Sequence, residues 1–224
     1  MTVGTNTLIV DDEIAVGPSH RSVTTLLFTD IVGSTSLLER LGDDAWLEVL
    51  RRHYALVRGH VARHDGAVVQ VVGDGFMIAF DDIRAGVDCA VAIQRSLAVP
   101  DALLEAPLRV RMGIHSGPVI REATDVHGRT VVLAARIAAH ADADEILVSH
   151  AVASSMMAFA RRRVAERGDV ALKGLRGLHS IYSVDWRHQP APVSPRRATT
   201  ARRDEHRRWR GAGRLHAVSS AAAD

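Results

Sequence analysis

Residues 67–80 read AVVQVVGDGFMIAF, and no other stretch restricts the fold so tightly. Asp-Gly between alternating apolar runs is the strongest short-range signal for a β-hairpin. Asp74 at its tip has a plain explanation, because an aspartate in a Gly-Asp-Gly turn is what the turn itself favours. A second signal lies upstream in TTLLFTDIVGST, residues 24–35. The apolar run from Val23 to Phe28 reads as a buried strand. Gly33 permits a tight turn, and Ser34 or Thr35 can cap a helix whose apolar face begins at Leu37 and Leu38. Asp30 therefore stands at a strand mouth, where it either ends the strand with a loop hydrogen bond or serves a ligand.

The remaining pattern extends this frame. A strand over 23–30 precedes helices over 35–41 and 43–64, the hairpin, and a helix over 82–98. Pro100 and Pro107 bracket a loop. LRVRMGIHSG then forms a strand ending at Gly117, and PVIRE continues it as a short strand or turn. GRTVVLAARIAAHA is helical through its small apolar face, EILVS is a short strand and AVASSMMAFA a short helix. The segment RRRVAERGDVALKGLRGLHSIYSV supplies closing strands with turns at Gly168, Gly174 and Gly177. Strands and helices mixed in this order predict one α+β sheet with helices on one face.

The chain has 224 residues, enough for one good-sized domain. No apolar run approaches the ~18 residues that span a bilayer, and no basic segment precedes a hydrophobic core at the amino terminus. A cytoplasmic protein without membrane contact is expected. Cys89 is the single cysteine and sits in the helical pattern VDCAVAIQ, which predicts a packed thiol and excludes a disulfide framework or cysteine-based zinc site. The twelve histidines are scattered without metal-ligand spacing. Residues 1–21 include TLIVDDE, similar to the acidic strand end of a response-regulator receiver, but the next motif leaves no room for one. They read as a poorly ordered leader.

Charge is uneven. Residues 187–224 hold nine arginines against three acids, which leaves 19 basic against 23 acidic side chains in the other 186 residues. Arginine clusters attract phosphate, yet the tail carries no DNA-binding motif and reads as solvated and disordered. Lysine occurs once, at Lys173, while every other strong base is arginine. A flexible ammonium and a planar guanidinium are not equivalent where phosphate oxygens must be met.

Two carboxylates now occupy comparable places, Asp30 at a strand mouth and Asp74 at a hairpin tip. Held together by adjacent strands, they suit Mg²⁺ or Mn²⁺, hard cations that take carboxylate and phosphate oxygens. With FTDIVGSTSLLERLG, VVGDGFMIAF, LRVRMGIHSGPV, DVHGRTVVLAARI, EILVS and VALKGLRGLHSIYSV in this order, the chain resembles the class III adenylate and guanylate cyclase catalytic domain over about Val23 to Val184. Several blocks in register make the match specific.

The resemblance implies a ferredoxin-like α+β core over 22–186, with two protomers head to tail and active sites at their interface. It implies conversion of a nucleoside triphosphate to a 3′,5′-cyclic monophosphate and pyrophosphate with two Mg²⁺ or Mn²⁺ ions. Asp30 and Asp74 match the family's metal-binding aspartates, and the Ile31 carbonyl would complete one ion's shell. Arg136 matches the arginine that stabilises charge on the α-phosphate, and Lys173 the lysine for the terminal phosphates. Asp125 matches the adenine-selecting aspartate, which favours ATP over GTP. Gln70 stands where adenylate cyclases usually have lysine, and an amide that can donate or accept should soften selectivity.

Val132 departs from the pattern, since an asparagine that orients the ribose normally stands there. One lost transition-state contact costs about 2.7–4 kcal/mol, roughly a hundred- to a thousandfold in rate. A slow homodimeric adenylate cyclase is thus expected. Two other readings stand beside it: a degenerate cyclase domain kept for nucleotide binding or dimerisation, and the input half of a transcriptional regulator whose tail touches DNA.

Overall fold

The computed structural model describes residues 20–100, 104, 106–122, 125–158 and 164–187. The expected leader lies outside these residues but for its last two, as does all of the expected tail but Arg187. Elements follow the chain as β1 (His20–Ile31), α1 (Ser34–Leu41), α2 (Asp43–Arg63), β2 (Ala67–Val72), β3 (Gly75–Phe80), α3 (Ile83–Leu97), β4 (Val110–Glu122), β5 (Asp125–His127), α4 (Arg129–His140), β6 (Ile146–Ser149), α5 (His150–Ala158), β7 (Val164–Ala171) and β8 (Leu178–Val184). Among the described residues the strands form one sheet in the order β2-β3-β1-β4-β6-β8-β7, with β5 paired to β4. The β4–β6 pair is parallel and the other pairs are antiparallel. A parallel pair needs a crossover connection, and α4 provides it.

Helices cover both faces of the sheet, not one. Leu27, Ile78, Met112, Ile114 and Val148 point to a core shared with α2, α3 and α5. Leu26, Met77 and Ala79 point the other way, with Ala134 of α4. Leu133 and Ile137 of α4 pack on Leu147 and Ile181 on that same second side. Strand alternation explains the division, because successive side chains leave opposite faces. The sequence pattern shows that α4 is buried along one stripe but not which face of the sheet receives it.

A close approach fixes α4. A Cβ at Gly113 would lie 2.1 Å from the backbone nitrogen of Ala138 and 2.5 Å from its Cα, so backbone meets backbone and only hydrogen fits. α2 is held differently, by a stripe of Trp46, Val49, His53, Val57 and Val61, spaced as one face of a helix. Cys89 is fully buried in the first core, and burial pushes its thiol up to about 12.

Three local expectations are corrected. α1 begins at Ser34 with Gly33 in the cap position at φ 73° and no side-chain cap, so neither Ser34 nor Thr35 caps it. β4 does not stop at Gly117 but runs through PVIRE to Glu122, so of the two expectations for that segment the strand holds and the turn does not, because β1 starts at His20 and pairs with it from His20↔Arg121 onward. Pro118 is tolerated there because β6 pairs only with 112–114 and β5 only with 120–122, leaving the proline's second edge without a ladder to interrupt. Gly168 is not a turn; it lies inside β7 at a register shift against β8.

Gly113→Val should force α4 off the sheet and cost about 1–3 kcal/mol. A lower urea midpoint with intact far-UV circular dichroism is expected, whereas an unchanged midpoint would show that the helix seat tolerates a side chain.

Candidate active site

The end of β1 and the tip of the β2–β3 hairpin are stitched together. Thr29 faces Phe76 in register, and the Phe76 amide donates to the Thr29 hydroxyl at 3.3 Å. The Ile31 amide donates to Asp74 Oδ2 at 3.1 Å. A Cβ at Gly75 would lie 2.9 Å from the Thr29 carbonyl oxygen, so the residue after Asp74 must be small for the tip to reach β1. Asp74 at the hairpin tip is thereby held at the end of β1 that carries Asp30, the strand adjacency on which their pairing was expected. Both are part-exposed, which leaves carboxylate oxygens available to solvent. Their oxygens fit a hard divalent cation that completes its shell with phosphate. Among the described residues no group of three histidine, cysteine, aspartate or glutamate side chains gathers to hold a metal, so a pair of carboxylates is the donor set on offer.

Arg111 is the neighbour that sequence reasoning missed. It stands directly across from Asp30 in the β1–β4 ladder, and its Nε and Nη2 donate to Asp30 Oδ2 at 2.8 and 2.5 Å. Its Nη1 also reaches the Ala139 carbonyl of α4 at 3.5 Å. The signal was present in LRVRMG, where Arg109 and Arg111 alternate on an otherwise apolar strand. Opposite charges directly across a ladder attract, but the partner strand must be known before the pair can be seen.

α2 braces the hairpin from behind. The Tyr54 hydroxyl donates to the Gly73 carbonyl, and its ring stands edge-on to Phe76 with centroids 5.3 Å apart. Burial and then the Asp74 charge raise the Tyr54 pKa. His53 also meets Phe76 edge-on, at 5.7 Å, and is 2 % exposed. Neither ring nitrogen makes a well-formed hydrogen bond. Burial lowers its pKa to about 4, against a smaller opposing effect of the Asp74 backbone.

The other predicted residues lie on β5, α4, β2 and the turn between β7 and β8. Asp125 opens β5, where its Oδ1 accepts from the Val126 amide at 2.7 Å and its Oδ2 lies 3.5 Å from His127 Nε2. Val132, 44 % exposed, and Arg136 lie one turn apart on the outer side of α4. Lys173 is exposed in the turn between β7 and β8. Leu172 beside it is buried against α4 residues Leu133 and Ile137, which draws that turn to the helix. Gln70 is exposed on β2 beside a register shift. Among the described residues Arg136 and Lys173 have no ion-pair partner, and no hydrogen bond joins either to Asp30 or Asp74.

The model of the adenylate and guanylate cyclase catalytic domain matches residues 16–185, and the chain belongs to this family. Among curated proteins it is similar to the receptor-type adenylate cyclase GRESAG 4.1 of Trypanosoma brucei brucei, 30 % identical over 206 residues that cover 72 % of this chain and 16 % of that protein. It is also similar to guanylate cyclase 2G of Mus musculus, 28 % identical over 177 residues covering 71 % of this chain and 16 % of the relative. The chain therefore spans about a sixth of the length of each. Its fold matches the adenylyl cyclase CyaB from P. aeruginosa with a TM-score of 0.68 and 26 % identity, over 80 % of this chain and 98 % of that one. Among the described residues no helix is long and apolar enough to cross a membrane.

His53 and His115 share a pH consequence. Both sit lowered to about 4 from an ordinary 6.5, chiefly by burial. The unfolded chain then binds protons that the folded chain refuses, so stability is full above about pH 6.5 and drains as pH falls towards 4. The urea midpoint should fall between pH 7 and pH 5, and His53→Phe should flatten that slope; a pH-independent midpoint would show both rings titrating normally.

Proposed function

We propose that the chain is a metal-dependent adenylate cyclase that works slowly as a homodimer. The observation that carries this reading is the juxtaposition of Asp30 and Asp74 through the Ile31–Asp74 hydrogen bond. Asp30, Asp74 and the Ile31 carbonyl would hold two Mg²⁺ or Mn²⁺ ions, which supply charge neutralisation at the phosphates and acidify the ribose 3′-hydroxyl. Arg111 engages Asp30 only at Oδ2, so Asp30 Oδ1 would be the oxygen left for a cation while that ion pair stands.

Arg136 and Lys173 would serve the partner protomer's carboxylate pair. A guanidinium offers a planar fork of donors to the oxygens that gain charge at the α-phosphate. The Lys173 ammonium, on a surface turn, would meet the terminal phosphates. Asp125 would accept a hydrogen bond from the adenine amino group and repel the O6 of guanine, which supports ATP. Gln70 can donate to adenine or accept from guanine by turning its amide, so some use of GTP is part of this reading.

Val132 supports a second reading. It is an apolar side chain on the exposed side of α4, one turn from Arg136, where it offers no hydrogen bond to a ribose. Under that reading the domain binds nucleotide or dimerises without turnover.

Cyclic nucleotide formation by purified protein with Mn²⁺, offered ATP and GTP separately, distinguishes the two. Cyclic AMP from ATP is expected, with loss of product in Asp30→Ala; nucleotide bound without product would favour the second reading. Val132→Asn should raise kcat roughly a hundred- to a thousandfold if the missing contact limits the rate, and an unaltered kcat would move the limit elsewhere.

Mixing inactive Asp30→Ala with inactive Arg136→Ala should restore part of the activity, because a heterodimer keeps one intact site. Failure of this mixture, with each variant folded and dimeric, would refute the shared site.

A further inference from the structure

Asp74 sits at a tip that its own backbone does little to hold. Gly73, with φ 58°, and Gly75 flank it, and glycine on either side leaves a turn free to swing. The register between β1 and β3 runs no further than Thr29↔Phe76, so the tip overhangs the last ladder pair. The Ile31 amide holds one carboxylate oxygen, but a bond to one side-chain oxygen does not fix the backbone that carries it.

α2 supplies what is missing, through consecutive residues that bring no carboxylate of their own. The Tyr54 hydroxyl donates to the Gly73 carbonyl, and its ring meets Phe76 edge-on, with 88° between the planes. His53 meets the same ring from the other side of the residue pair, at 5.7 Å, and the Asp74 backbone acts on its imidazole. One turn further on, the Arg58 guanidinium lies 5.9 Å from the centre of the Phe76 ring. The residues before, at and after the tip are thus all met by one helix. That helix is seated in the core by Val49, Val57 and Val61, so it offers a rigid support. Burial and then the Asp74 charge keep the Tyr54 phenol protonated, so it remains a donor wherever the carboxylates are ionised.

We propose that Tyr54 is a positioning residue for the cation site: its hydroxyl, through Gly73, sets the Asp74 carboxylate at the end of β1 and thereby sets the affinity of the Asp30–Asp74 pair for Mg²⁺ or Mn²⁺. The proposal rests on the reading of these two aspartates as metal ligands. The Tyr54 hydroxyl bond goes to backbone and not to either carboxylate, so its effect passes through the turn. Outer groups that orient a metal ligand commonly account for about ten- to a hundredfold in metal affinity. Tyr54→Phe separates this role from packing, because it keeps a ring on Phe76 and removes only the donor.

The test uses the full chain. Mn²⁺ affinity is measured by electron paramagnetic resonance, and exchange of the Ile31 amide by NMR, in Tyr54→Phe beside wild type. The Ile31 amide reports on the tip directly, since it donates to the Asp74 carboxylate. Tyr182→Phe on β8 controls for loss of a tyrosine hydroxyl elsewhere, and Asp74→Asn marks the metal site. In Tyr54→Phe, Mn²⁺ should bind about tenfold more weakly and Ile31 should exchange about tenfold faster, while Tyr182→Phe leaves both as in wild type. Cyclic nucleotide formation should need more Mn²⁺ but regain the wild-type kcat at saturation, a split that a general loss of stability would not produce.

Unchanged Mn²⁺ affinity in Tyr54→Phe would overturn the positioning role. So would weaker Mn²⁺ binding with Ile31 exchange unaltered, because the effect would then bypass the tip. Asp74→Asn protein that binds Mn²⁺ as wild type does would sink the metal reading and the effect on affinity with it, while Ile31 exchange still decides whether the Tyr54 hydroxyl holds the tip.

Discussion

The hydrogen bond from the Ile31 amide to Asp74 joins two pieces of chain that would otherwise hold one acid each. It exists because β3 lies beside β1 in the sheet order, because the hairpin is short, and because Gly75 leaves the tip room to reach the β1 backbone. Two carboxylates near each other repel, so their proximity needs an opposing attraction. Arg111 provides one across the ladder at Asp30, and the Ile31 amide provides another at Asp74. The arrangement is a site for positive charge that the protein already partly fills from its own sheet.

Much of this was legible in the sequence, for identifiable reasons. The hairpin, α2 and α3 are written in local patterns, alternation on one side and a stripe every three or four residues on the other, and they fall within a residue or two of expectation. Asp30 and Asp74 could be paired because strand mouth and hairpin tip are fixed by their own neighbours. The side of the sheet that α4 takes was not legible. It depends on Gly113, whose meaning appears only when Ala138 lies against it. Arg111 was equally hidden, since an arginine in a strand looks like a solvated side chain until the acid 81 residues away is placed opposite. The continuation of β4 past Pro118 likewise depends on which neighbouring strands stop short.

Arg136, Lys173, Asp125 and Gln70 were singled out by resemblance to the family rather than by any local pattern. Each lies on a different element, and the packing of Leu172 on Leu133 and Ile137 draws the Lys173 turn to α4. Had α4 packed with the other helices, Arg136 and the β7–β8 turn would not share a side. The face that looked like a detail of packing thus decides whether the cationic residues can act together.

Cys89 gives the buried core a property of a different kind. A thiol with no exposed surface, and with ionisation pushed to about 12, carries almost no thiolate at neutral pH, and thiolate is the form that oxidants and alkylating reagents attack. Its modification must wait until α3 lifts from the sheet. The rate at which a thiol reagent labels Cys89 is therefore a clock for the opening of the interior around α3.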